Sequence, residues 1–356
     1  MRLLQVIAEL GRGGAERIVL DLAADAVARG DEVVVASAGG VWVERVGWAG
    51  ATHRQVPLHH RRATDVVTAG IRLAGEQRRF RPDVVHTHNV GAAAATWLGS
   101  LAMRHRPSSV CTVHGLAHDD YPRAARILRR MAPFVVACAP AVQRRLVDAG
   151  YPEDRIEVIP NGAGLAAPTD DAVEAARERL GLDDRSVAIG VGRLVPQKAW
   201  STLLEATAGR HDLQVVVVGE GPLRSELEDE ARRWSSPVRF VGAVDDVAAV
   251  LGAADCFVST SAWEGLPLSL LEALSLGVPA IATAVDGVTD VVPEGAALLV
   301  APGDPAATGR ALEDLLGDPD RRRSLSAAAS RASRAWSPDR MLDGYHRLYE
   351  RLAAGR

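Results

Sequence analysis

The chain has 356 residues, 47% of them hydrophobic and 24% charged, with a formal net charge of −4 and three cysteines. That length exceeds one ordinary domain and suits two of about 150–200 residues, and the composition excludes a disordered chain. The apolar runs stay far short of the roughly 18 residues that cross a bilayer. Cys111, Cys138 and Cys256 lie in strand-like runs without metal-ligand spacing, so they read as core residues of a reducing compartment.

Residues 1–165 carry 21 Lys and Arg against 16 Asp and Glu, whereas residues 166–356 carry 20 against 29. A basic first half fits a domain that meets an anionic partner, and fits equally a drift in surface composition. The opening MRLLQVIAEL reads as a strand running into GRGGAE, without the apolar region and cleavage site of a signal peptide. The expectation is a cytoplasmic protein.

Residues 3–9 (LLQVIAE) and 33–38 (VVVASA) read as strands flanking a helix over Ala15–Arg29, a βαβ opening. Between them, Gly11–Glu16 (GRGGAE) forms a turn in which glycine permits close backbone approach, either for packing or for a ligand. Further strands are expected at Asp83–His86, Val110–Val113, Phe134–Cys138 and Ile156–Ile159, most of them separated by helices. That order implies a parallel sheet with helices on both faces. His86, His88 and His114 stand at strand ends, where imidazoles can hydrogen-bond a sugar, bind a metal or serve the core; no convincing third ligand completes the H-x-H pair. Pro122–Pro133 places Arg123, Arg126 and Arg130 near one helical face with Arg129 adjacent, and His59–Arg62 (HHRR) adds charge to the same half. Such a helix can rest on anionic lipid or simply be solvated; its short stripe without aromatic interleaving argues against nucleic acid.

After Asn161-Gly162 the chain becomes polar and helical over Ala166–Arg185, with Pro168 near its start, which reads as the connection between domains. A second α/β series follows, with strands expected at Val187–Val191, Gln214–Val218, Val238–Val241, Asp255–Ser259, Ala280–Thr283 and Ala297–Val300. Gly192–Lys198 (GRLVPQK) ends the first of these with a basic pair, Arg193 and Lys198, that can clamp a diphosphate or be solvated. The segment Trp263–Gly277 (WEGLPLSLLEALSLG) runs from an acidic turn into a helix with leucines almost all round, expected to start at Pro267 and to lie inside the layer. Glu272 would then be a carboxylate among leucines, in need of a cationic partner, backbone amides or ligand hydroxyls. The amides of Leu268 and Ser269 after Gly265 suit a phosphate.

Glu264 and Glu272, with seven residues between them, resemble the E-x7-E motif of glycosyltransferase family 4, a large family of retaining enzymes with the GT-B fold. Ala280–Val292 (AIATAVDGVTDVV) and Leu298–Asp304 (LLVAPGD) resemble that family's following segments, and the likeness covers nearly the whole chain. It implies an α/β protein of two Rossmann-like doubly wound parallel-sheet domains facing across a cleft. Residues 1–165 would be the acceptor-side domain, 166–335 the nucleotide-sugar domain, and 336–356 a helix returning to the first. GGAER is similar to the family's glycine loop, implying that Gly13 and Gly14 lie against the donor diphosphate and sugar. His114 looks like the histidine that contacts the donor sugar near the reacting carbon, and His88 matches a less defined position. GRLVPQK resembles G-R-L-x-x-x-K-G, except that Ala199 replaces the glycine after lysine, which puts the backbone shape of that loop in question. Val218–Pro222 and Phe240–Asp246 resemble further segments, so Val244 and Asp246 are candidates to face the base, though both equally suit a turn and a helix cap. In this picture Glu264 contacts the donor sugar or its phosphate, and Glu272 holds the ribose diol.

The resulting expectation is a glycosyltransferase that moves a sugar from a nucleotide-diphosphate sugar to an acceptor hydroxyl with retention, in surface polysaccharide or glycolipid assembly. His114 and Glu264 are its catalytic candidates, and its partners are the nucleotide sugar, an acceptor and an anionic membrane at the inner face of the cell membrane. No cofactor or metal is expected, because Arg193, Lys198 and the helix start after Gly265 would carry the charge of the leaving diphosphate. Asp318-Pro319-Asp320, the one D-x-D, reads as the start of a helix. A small-molecule acceptor, a nucleotide-sugar 2-epimerase and a catalytically silent binding module are the alternatives. A phosphorylase would need a lysine for pyridoxal phosphate, and the chain's one lysine is Lys198. A Rossmann dehydrogenase lacks its G-x-G-x-x-G after the first strand.

Overall fold

Valine-rich runs without polar alternation have no water-facing side, and they form strands covered by helices on both faces. The computed structural model describes residues 1–58, 63–101 and 103–355, and among these every strand pairing within the two sheets is parallel. The chain divides into two units, Met1–Gly162 with Pro338–Arg356, and Ala163–Ser337. The divisions thus fall after Gly162 and Ser337, where the sequence reading placed them after Leu165 and Ala335.

The first unit contains β1 (Arg2–Val6), β2 (Glu32–Ser37), β3 (Thr52–Gln55), β4 (Val84–Thr87), β5 (Ser108–Val113), β6 (Phe134–Ala137) and β7 (Ile156–Val158). They lie in the order β3-β2-β1-β4-β5-β6-β7. Strand β3, THRQ, was not anticipated. It is a polar edge strand without the apolar pattern that marks the others, and its pairing with β2 is what makes it a strand. The helix Pro338–Ala354 belongs to this unit and buries Tyr345 and Tyr349 completely or nearly so. Their hydroxyls reach the sheet, Tyr345 to Thr112 Oγ1 at 2.9 Å and Tyr349 to His86 Nδ1 at 2.6 Å.

The second unit contains β8 (Ser186–Val191), β9 (Leu213–Val218), β10 (Val238–Gly242), β11 (Cys256–Ser259), β12 (Ala280–Thr283) and β13 (Leu298–Val300), in the order β10-β9-β8-β11-β12-β13. The polar stretch before it is helical only over Asp170–Leu180, because Thr169 caps its start and Gly181, at φ +61°, ends it. Asp318 caps the helix Pro319–Ala332 by accepting from the Arg321 amide at 3.0 Å, so the Asp-Pro-Asp run is a helix start.

Both sheets reverse their strand order once, between β1 and β4 and between β8 and β11. In open parallel sheets the loops that leave neighbouring strands at such a reversal diverge, and the position beyond the carboxyl ends there is the preferred one for a ligand. In the second unit this edge is tied together tightly. Gly192 donates to the Val218 carbonyl at 2.9 Å and Leu194 to that of Glu220 at 2.9 Å, which brings Gly219 onto the Gly192 carbonyl.

A Cβ on Gly219, at φ +149°, would overlap the Gly192 carbonyl oxygen, whereas one on Gly209, at φ +68°, meets nothing within 4 Å. Gly219→Ala should therefore cost at least ~2 kcal/mol by overpacking plus backbone strain, and Gly209→Ala only ~1 kcal/mol. Chemical denaturation of the two variants measures the difference.

Candidate active site

The β8/β11 reversal brings together two sequence motifs 66 positions apart. Lys198, in the loop after β8, donates to Glu264 Oε1, in the loop after β11, at 2.5 Å. Their side chains are 15% and 6% exposed, so the pair is largely withdrawn from water. Such a pair holds only if the remaining lone pairs are satisfied. Ser261 donates to the same carboxylate oxygen at 2.6 Å, and Gln197 Nε2 to the other oxygen at 3.3 Å and to the Trp263 carbonyl at 3.1 Å. Ala262 returns a backbone bond to Gln197 at 2.8 Å. Behind the loop, a side chain on Gly287 would overlap the carbonyls of Glu264 and Gly265, so glycine there lets the turn sit where it does.

The helix after this turn is Leu268–Ser275, with Pro267 as its cap residue and not its first helical residue. Pro267 has φ −79° and ψ 95°, an extended conformation, because the chain is still finishing the turn. No side chain caps the helix, which leaves its first amides, those of Leu268 and Ser269 among them, to water or a ligand. The expected all-round burial does not hold either. Leu270, Leu271, Ala273 and Leu274 are buried, but Leu268, Ser269, Glu272, Ser275 and Leu276 form a half-exposed stripe. Glu272 is thus not locked in a leucine core; it stands on the accessible face one turn beyond the helix start.

Arg193 is exposed, and its carbonyl accepts from Trp200 Nε1 at 3.0 Å. Gly192 lies beneath Lys198, whose side-chain carbons would be 3.1 Å and more from any added Cβ. Ala199 has φ +45° and ψ 45°, so the loop keeps the left-handed turn that a glycine would supply freely. Asp246 caps the helix Val247–Gly252, its Oδ1 accepting from Ala249 at 2.9 Å, and Val244 is half-buried just before it. Both follow β10, three strands from β11, or about 14 Å at the usual strand spacing.

In the first unit, the β1/β4 reversal carries Gly13 and Gly14 after β1 and the histidines after β4 and β5. Gly13, in an extended conformation, caps the helix Gly14–Ala28, and a side chain on it would overlap the Glu16 carboxylate. His86 spends both ring nitrogens inside the core, Nδ1 on Tyr349 and Nε2 on Thr112 at 2.7 Å, so it has none left for a metal. His88 contacts Gln5 Oε1 through Nε2 at 3.0 Å and His114 Nε2 through Nδ1 at 3.3 Å. Its ring stacks on that of His114 at 5.6 Å, 11° from parallel. Burial, reinforced by the neighbouring imidazoles, holds His86 and His88 well below the ordinary histidine range. His114 is half-buried as a residue, and burial of its imidazole pulls it down to about 4. All three are neutral at physiological pH. Among the described residues no three His, Cys, Asp or Glu side chains gather as a metal site would require.

The basic helix runs over Tyr121–Met131, burying Tyr121, Ala124, Ala125 and Leu128 and exposing Arg123, Arg126, Arg129 and Arg130. Arg129 and Arg130 border a cavity of about 330 Å³ together with Arg106 and Arg155. The His59–Arg62 run lies outside the described residues. No helix among the described residues is long and apolar enough to cross a membrane.

The family model described as Glycosyltransferase Family 4 matches residues 12–186, and that described as Glycosyl transferases group 1 matches residues 172–332. A D-inositol 3-phosphate glycosyltransferase of Geodermatophilus obscurus is 32% identical over 98% of this chain and 84% of its own length. The chain belongs to glycosyltransferase family 4. A 2-deoxystreptamine N-acetyl-D-glucosaminyltransferase of Streptomyces fradiae is 30% identical, over 89% of this chain and 86% of its own. The fold matches that of Anabaena Alr3699/HepE, crystallised in complex with UDP and glucose, with a TM-score of 0.88 at 20% identity, over 98% of this chain and 99% of that one. The two sheets are accordingly those of the GT-B architecture.

The sequence motifs of this glycosyltransferase do not single out Ser261, Gln197 or Gln5. Gln5 carried a usable signal, since an amide inside the apolar run LLQVI must find a partner when the strand is buried. Ser261 and Gln197 carried little, being polar residues at strand ends. The left-handed Ala199 carries backbone strain of about 1 kcal/mol. Ala199→Gly should raise stability by roughly that amount without displacing Lys198, measurable as a higher Tm.

Proposed function

We propose that the chain transfers a sugar from a nucleotide-diphosphate sugar to an acceptor hydroxyl with retention of anomeric configuration and without a metal. The observation that carries this is the Lys198–Glu264 pair at the strand reversal of the second sheet, beside an uncapped helix start. Breaking a sugar–phosphate bond builds negative charge on the diphosphate. Lys198, the exposed Arg193 and the amides of Leu268 and Ser269 supply fixed positive charge and dipole for it, which is the role a metal would otherwise fill. Glu272, on the accessible face of the same helix, suits a ribose diol. Val244 borders the base in this reading, with Asp246 shaping the turn through its cap. Glu264 already accepts from Lys198, Ser261 and Gln197, which favours an electrostatic role near the sugar over covalent attack. In the first unit taken by itself, the Gly13-Gly14 turn suits close approach of a ligand, and neutral His114 suits a hydroxyl.

A thermal-shift panel of UDP-, GDP-, ADP- and dTDP-sugars tests the donor reading. One nucleotide should stabilise the protein by about 2.7 kcal/mol at a hundredfold excess over its Kd. Glu272→Ala should weaken it about 10- to 100-fold, the value of hydrogen bonds to a charged group. No shift with any donor at millimolar concentration would favour the silent binding module instead.

For the acceptor, the exposed arginines of Tyr121–Met131 and of the neighbouring cavity favour a glycolipid or lipid-linked glycan met at an anionic membrane. The relatives named for 2-deoxystreptamine and D-inositol 3-phosphate favour a small polyol. The first reading expects sedimentation with phosphatidylglycerol vesicles, but not phosphatidylcholine vesicles, and its loss in Arg123→Gln/Arg126→Gln/Arg130→Gln. Absence of vesicle binding together with turnover on a free cyclitol would select the second.

A further inference from the structure

The histidine pair at the ends of β4 and β5 has a polarity that one buried amide decides. Gln5 lies in the middle of β1, wholly buried, with its Oε1 3.0 Å from His88 Nε2. In this amide orientation, which leaves Gln5 Nε2 buried without a partner among the described residues, the carbonyl oxygen only accepts, and His88 then carries its proton on Nε2. Neutral imidazole has one N–H, hence His88 Nδ1 is a bare lone pair. The partner on that side is His114 Nε2 at 3.3 Å, which must therefore be the donor. His114 is left with an unprotonated Nδ1, and that atom is buried with no partner among the described residues. His86 cannot interfere, since Tyr349 and Thr112 occupy both its nitrogens.

We infer that Gln5 is a positioning residue that fixes the tautomers of His88 and His114, and so presents His114 Nδ1 as a hydrogen-bond acceptor for a hydroxyl of the substrate. The opposite amide orientation would reverse both protons and make His114 Nδ1 a donor, suited to a phosphate or carbonyl oxygen instead. The choice between accepting from a sugar hydroxyl and donating to an anion is thus made by Gln5, two residues away from His114, with His88 between them. This role in transfer rests on the reading that His114 meets the substrate; the tautomer itself does not.

Nitrogen-15 NMR of histidine-labelled protein at pH 7.5 reads the assignment directly. The expected spectrum of the wild type has His88 and His114 both protonated on Nε2, with pyridine-type Nδ1 signals. Protonation of His114 on Nδ1 overturns the inference without any variant being needed. In Gln5→Met, which keeps the side-chain length and removes the amide, the two rings should become tautomer mixtures, and kcat should fall about tenfold with KM little changed, as expected for one misdirected hydrogen bond. A variant that retains the wild-type tautomers shows that Gln5 does not set them and overturns the inference. A variant with mixed tautomers and unchanged kcat overturns instead the placement of His114 against the substrate.

Discussion

The second unit depends on one contact, the ammonium of Lys198 against the carboxylate of Glu264. Neither group reaches much water, and an ion pair so withdrawn gains little net stability over an apolar pair of the same size. What it supplies is position. Because β8 and β11 are hydrogen-bonded neighbours at the point where the strand order reverses, the loops leaving them have to be joined by something other than backbone ladder. The chain's one lysine does this, with Ser261 and Gln197 accounting for the lone pairs that it leaves. A charge-assisted bond with three donors on one carboxylate holds both loops at a fixed distance, and the uncapped helix start follows a few residues later.

The first unit solves a related problem with neutral groups. His86, Thr112, Tyr345 and Tyr349 form a fully buried network that fastens the C-terminal helix to the sheet. Burial of three neighbouring imidazoles is tolerable only while they stay uncharged, and their depressed pKa values are the thermodynamic expression of that. Neutrality also gives each ring a donor side and an acceptor side. The neighbouring chain of hydrogen bonds through His88 is therefore directional, with the amide of Gln5 at one end of it and His114 at the other.

The two units share one strand order for their first six strands, so the same pair of loop positions is used twice with different chemistry. After β1 and β4 come glycines and histidines; after β8 and β11 come an arginine, a lysine and a glutamate. Parallel sheets direct the carboxyl ends of all strands to one edge, and this concentrates the functional residues in loops whose lengths are free to vary.

Much of this was legible from the amino-acid order. The runs VVVAS, VAIGV and QVVVV lack polar alternation, and only a doubly covered parallel strand accommodates that. Asp318-Pro319 was legible as a helix start because capping is a local interaction. The edge strand Thr52–Gln55 was not, since its residues have no strand pattern and its pairing partner comes from β2. Nor was the exposure of Glu272: eight helical residues rich in leucine do not reveal which stripe the neighbouring elements leave uncovered. Sequence by itself determined the fold class and every strand but the polar edge strand Thr52–Gln55, because periodicity and capping act over a few residues, and its motifs carried the resemblance to the family. Only the tertiary structure decided that Lys198 meets Glu264, that His88 lies between Gln5 and His114, and that Ala199 takes a left-handed turn. These depend on which strands become neighbours, a choice made by packing across the whole sheet.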